Sequence, residues 1–195
     1  MRDCYLLLTP ILVLGVLGLV RFVGCDIIFR IDHVDPPPPL ATTFVTSQTL
    51  MTPRNDFAGF AGMAITVGSK SLKVQTLQRY CIPGSTRNHT IEIIDAQNNT
   101  QLPNGVAAVS LAGKPEGFEI GALTSEAILS AGQTYYIVSQ EEVGGDQFYD
   151  NDTAVVVQPD ATVVSPVYQD NTGQWVLLGA QDRSYGPVNF TYVLA

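Results

Sequence analysis

The chain has 195 residues, 46% hydrophobic and 14% charged, a composition that builds one globular core and not a disordered chain. Ten Lys and Arg against 18 Asp and Glu leave a net charge of −8, which argues against nucleic acid as a partner, because such binding rests on neutralising phosphates. Two histidines and three cysteines are too few for a histidine-rich metal centre or a disulfide scaffold.

Residues 1–25 read as a secretory signal. A short polar start precedes an apolar run over residues 5–20 that carries Pro10 and ends at Arg21, shorter than the about 20 residues a spanning helix needs. Val23 and Cys25 are small enough for the −3 and −1 positions of a cleavage site, which makes Asp26 the first mature residue. An uncleaved signal anchor, or a lipoprotein acylated on Cys25, stands beside that reading. With the signal cleaved, the protein is expected to be secreted or to sit on an extracellular surface, without a membrane span. Cleavage also removes Cys4 and Cys25, so Cys81 is left as a lone thiol, expected as a buried small apolar side chain and not as a nucleophile. Residues 26–40 follow as a linker, stiffened by the four prolines at 36–39.

The domain is expected over residues 41–195. No apolar pattern of helical period persists there, whereas short β-rich runs separated by Gly, Pro, Asn and Asp recur. The predicted strands are 60–67, 71–78, 89–95, 106–112, 117–123, 134–140, 153–158, 174–179 and 188–194. Alternation such as Leu72, Val74 and Thr76 against Lys73 and Gln75 marks one face inward and one wet. The fold class is therefore all-β, an antiparallel β-sandwich preceded by the hydrophobic signal helix. Four N-x-[ST] sequons, at Asn88, Asn98, Asn151 and Asn189, agree with a glycosylated secreted chain and are expected to face solvent.

Charge is uneven. Residues 1–115 carry nine bases and seven acids, and residues 116–195 carry one base and eleven acids. The densest stretch holds Glu141, Glu142, Asp146, Asp150 and Asp152 with no cation nearby in sequence. A hard cation would relieve their repulsion, and the Gly144-Gly145 turn could bring carbonyls inward, so Glu142, Asp146, Asp150 and Asp152 are the candidate ligands of a structural calcium. A solvated acidic loop is the plain alternative. A glycosidase pair drawn from the same acids is a further one, with Glu141 at a strand end as its best member. Aromatic rings stack on sugar faces, which makes Phe148, Tyr149 and Trp175, with Gln147 as a polar neighbour, the candidate ligand-binding residues. No catalytic residue is assigned.

The succession ITVGSKSLKVQTLQRYCIPGSTRNHTIEIIDA, a Gly-Phe strand and LSAGQTYYIVSQEEVGGDQFYD, with AGxTYYxVSQE…GGDxxYD its most specific part, resembles the non-catalytic β-sandwich modules of secreted carbohydrate-active and cell-surface proteins. The likeness covers about half of the expected mature chain, and it implies a jelly-roll-like module serving binding or surface presentation. It transfers no catalytic or binding residue. Three functions follow as expectations: a secreted module that binds a glycan or an extracellular surface protein; a structural protein of a wall, matrix or virion surface; and a small jelly-roll glycosidase.

Overall fold

The computed structural model describes residues 39–195; the expected signal and nearly all of the linker lie outside the described residues. Fourteen strands follow in chain order: β1 (Thr42–Thr43), β2 (Val45–Thr49), β3 (Pro53–Arg54), β4 (Gly59–Val67), β5 (Leu72–Cys81), β6 (Asn88–Asp95), β7 (Thr100–Ser110), β8 (Gly117–Leu129), β9 (Thr134–Glu141), β10 (Phe148–Val157), β11 (Ala161–Gln169), β12 (Trp175–Leu177), β13 (Arg183–Gly186) and β14 (Val188–Leu194). The described part is all-β. No helix among the described residues is long and apolar enough to cross a membrane.

The strands form three antiparallel sheets. One runs β12-β11-β4-β9-β6-β7, a second β1-β14-β5-β8, and a third β13-β10-β2 with β3 also on β10. The six-stranded sheet supplies Met63, Ile65, Ile91, Ile93, Val109 and Ile137 to a common core. The second sheet answers with Leu72, Val74, Leu77, Ala127, Phe190 and Tyr192, and the third with Val45 and Val155. Alternation along each strand places these residues on one face, so sheet packs on sheet in a sandwich-like arrangement. Phe44, at the step from β1 to β2, stacks on Phe190 with ring centroids 4.7 Å apart and joins the second and third sheets.

The central strand β9 is apolar on both faces. Tyr135 and Ile137 enter the main core, whereas Tyr136 and Val138 join Ala64, Ile94 and Val167 in a second cluster on the opposite face. On one side the sandwich is closed by close approach of β7 to β8. A Cβ on Gly121 would lie 2.7 Å from the Ala108 carbonyl oxygen and 2.9 Å from the Ala107 Cβ, so only glycine permits the contact.

Candidate functional site

The acidic stretch sits at one end of the sandwich, and the fold supplies the cations its sequence lacks. All four arginines of residues 39–195 lie against it. Arg79 of β5 forks onto Glu141 of β9, with Nε 3.0 Å from Oε1 and Nη2 2.8 Å from Oε2, and Nη2 also donates to the Gln147 carbonyl at 3.2 Å. Arg87 pairs with Glu142, Arg54 with Asp150 at 3.0 Å, and Arg183 donates to the Asp152 carbonyl.

Asp146 is buried and accepts hydrogen bonds from the backbone N–H groups of Thr86 at 2.9 Å and Arg87 at 2.8 Å. Its other neighbour is His89, whose Nε2 lies 3.2 Å from Oδ2 while Nδ1 faces the Gln140 carbonyl at 3.1 Å. Burial opposes the charge on Asp146, but the two backbone donors and His89 outweigh it and hold this carboxyl below the usual range. The result is a latch that ties the 142–147 loop to the connection between β5 and β6.

The expected calcium ligands therefore do not converge. Glu142, Asp146 and Asp150 each meet a different partner, the exposed Asp152 accepts from Arg183 through its backbone carbonyl, and among the described residues no group of three or more His, Cys, Asp and Glu side chains is placed to hold a metal ion. Glu141, the best member of the glycosidase pair, is buried with both oxygens on Arg79. Cys81 is buried as expected, with Sγ 3.8 Å from the Leu111 carbonyl, and burial pushes its thiol up.

The four expected ligand-binding residues are not one platform. Phe148 and Tyr149 project to opposite faces of β10. Tyr149 turns toward Tyr80, ring centroids 6.0 Å apart, and Tyr80 in turn packs edge-on against Phe118 at 5.3 Å. Trp175 lies in the second apolar cluster, 5.2 Å from Tyr136 and 6.3 Å from Phe60. Gln147 is exposed on the loop.

Only Phe148 lines a sizeable cleft. The cleft, of about 450 Å³, opens where β3, β10 and β13 meet β4 and β11. Its aromatic wall is built from Phe57, Phe148, Tyr168 and Tyr185: Phe57 stands edge-on to Tyr168 at 6.0 Å and to Phe148 at 6.4 Å, and Tyr168 to Tyr185 at 6.1 Å. Polar groups converge on one side. Arg54 donates to Asp56 at 2.7 Å and to Asp150 at 3.0 Å, with its guanidinium 5.9 Å above the Phe148 ring. The bond to Asp56, then that to Asp150, raises the Arg54 pKa despite partial burial, and the bond from Arg54 draws the exposed Asp56 carboxyl down.

A bulge delivers the acidic groups to this cleft. Between the pairs Tyr149 with Gly186 and Thr153 with Ser184, β10 places three residues, Asp150 to Asp152, opposite one of β13, Tyr185. The surplus re-aims Asp150 and Asn151 into the cleft mouth. Burial, then the charge of Asp150, pushes the Tyr185 phenol up to about 12, so it remains a neutral hydroxyl. Arg54 and Phe57 were outside the sequence-based expectation, and no local pattern marks them.

The sequons divide. Asn88 and Asn98 are exposed, Asn151 is partly exposed at the cleft, and Asn189 is fully buried. The expectation of a solvent-facing glycan at Asn189 is corrected. Its Oδ1 accepts from the Val45 N–H at 2.8 Å and its Nδ2 donates to the Val45 carbonyl at 3.1 Å, which leaves no room for a sugar. No protein-family model matches this chain, and no curated protein does.

Proposed function

We propose that the domain is a secreted, non-catalytic, jelly-roll-like binding module whose cleft between β10, β11 and β13 takes a saccharide. The observation that carries this reading is the pairing of a four-ring aromatic wall with the fixed Arg54–Asp150 pair in one cleft of about 450 Å³. Its volume is in the range of about 300–1,000 Å³ usual for small-ligand sites. Phe57 and Tyr168, the two partly exposed rings, supply apolar surface for the C–H side of a pyranose, with Phe148 and Tyr185 packed behind them, and the guanidinium and carboxylate offer donors and acceptors to hydroxyls. The resemblance to modules of carbohydrate-active proteins points the same way.

The test is retention on insoluble polysaccharides and arrayed glycans. Tyr168→Ala and Arg54→Ala are expected to abolish retention that Trp175→Ala leaves intact, because Trp175 packs on the other face of its sheet. Retention lost in Trp175→Ala alone would overturn the placement. A second reading, a building block of an extracellular surface, is favoured by the exposed Ile120 and Ile128 on β8, the terminal strand of its sheet. Concentration-dependent self-association without glycan retention would select it.

A further inference from the structure

Asn151 brings two properties to one position. It opens the sequon Asn151-Asp152-Thr153, and the residue lines the aromatic cleft. Neither Asn88 nor Asn98 lines that cleft, and Asn189 is sealed inside the fold. The Asn151 backbone N–H donates to its neighbour Asp150 Oδ1 at 2.8 Å, and that same oxygen is held by Arg54, so the residue is fixed at the cleft mouth by the pair that forms the polar side.

From this geometry we infer that the saccharide seated in the cleft is the protein's own Asn151-linked glycan, its first sugar lying against Tyr168 and Tyr185. The inference rests on the reading of the cleft as a saccharide seat and names its occupant. The chemistry is N-glycosylation by a polyprenyl-diphosphate-linked oligosaccharide. The Asn151 amide nitrogen bonds to C1 of the first sugar, the bond from C1 to the diphosphate oxygen breaks, and the amide proton leaves with the diphosphate.

The Thr153 side chain fixes the timing. Its hydroxyl, the third group of the sequon, is fully buried in the folded chain and has no hydrogen-bond partner. A transferase that must engage this hydroxyl reaches it only before β10 closes on β13. Once folded, a tethered sugar meets the aromatic wall at an effective concentration of order millimolar or above, so a free saccharide of weak affinity is displaced. The glycosylated protein has a self-filled cleft, and the unglycosylated protein has an open one.

The experiment compares the full chain made in a non-glycosylating bacterium with the same chain passed through the secretory route of a glycosylating host. Site occupancy is read by glycopeptide mass spectrometry, and release of each glycan from the native protein by peptide N-glycosidase is followed in time. The expected result is an occupied Asn151 whose glycan resists native release while those at Asn88 and Asn98 are freed, and glycan-array retention about tenfold weaker than that of the bacterial protein. Thr153→Val, which removes the sequon at a buried hydroxyl that has no partner and leaves the cleft lining unchanged, is expected to restore retention in protein from the glycosylating host, and Asn88→Gln is not. An unoccupied Asn151, or an Asn151 glycan released as fast as the others, overturns the inference. Protection at Asn151 with no retention by the bacterial protein sustains the inference and overturns recognition of external saccharides.

Discussion

Arg79 and Glu141 meet as a forked ion pair across the interior, one from the second sheet and the other from the six-stranded sheet, each side chain 2% exposed. A pair this buried balances a large desolvation cost against its Coulomb gain, so its worth shows only when one member is removed. Arg79→Met and Glu141→Leu are each expected to destabilise the protein by about 3–5 kcal/mol, because each strands an unpaired charge. The double variant recovers most of that loss. Urea unfolding of all four proteins checks the cycle, and additive losses would show that the two residues act separately.

Acid acts on the loop latch. The Asp146 carboxyl lies lower in the folded than in the unfolded chain, so its contribution is complete above the unfolded value near 3.8 and is lost as pH falls through the folded one. The urea midpoint is expected to drop over that window, and Asp146→Asn to flatten the drop. Hydrogen exchange of the Thr86 and Arg87 amides, which donate to this carboxylate, is expected to accelerate in the same interval.

Alkali acts on the buried phenols, most strongly on Tyr185 and Tyr192. Burial raises Tyr192, whose hydroxyl also donates to Asp160 Oδ2 at 2.6 Å, and it raises Tyr185 to about 12. A raised phenol stabilises the fold fully below the unfolded value of 10 and ceases to do so as pH climbs through the folded value. Stability is therefore expected to fall above pH 10. Tyr185→Phe reduces the slope while retaining the ring, as spectrophotometric titration alongside thermal melts would record.

Asn189 holds both backbone groups of Val45 where the chain crosses from β1 to β2. Asn189→Ala leaves these groups buried without partners and is expected to cost about 1–3 kcal/mol. Glycopeptide mapping of protein secreted by a glycosylating host is expected to find Asn189 unmodified.

Much of the class and spacing of strands was legible in the sequence, because period-two alternation is a local property. The expected strands 60–67, 134–140 and 188–194 fall on β4, β9 and β14 within a residue at either end. Where polar groups interrupt the pattern the reading stops short. Pro166 hides β11, yet it is tolerated beside the irregularity between Val163 and Ser165, and its carbonyl accepts from the Leu178 N–H. The first half of β10 reads as loop because its bulge carries Asp150 to Asp152. The site was less visible for a different reason. The acids at 141–152 look unneutralised because their cations come from distant strands, Arg54 lying 96 residues from Asp150. Tyr168 and Tyr185 become neighbours only when β11 and β13 pack beside each other.

The pairing of β1 with β14 sets how this unit can be joined to others. Thr42 lies opposite Tyr192, and Leu194 opposite Leu72, whereas Val188 lies opposite Arg79 at the cleft end. Entry and exit thus share one pole, separated from the cleft by the length of β14, about 20 Å at the usual rise per residue. A short bridge between residues 195 and 41 would make the unit a closed loop of chain, one that can be reopened at an exposed turn to give a circular permutant with the cleft intact.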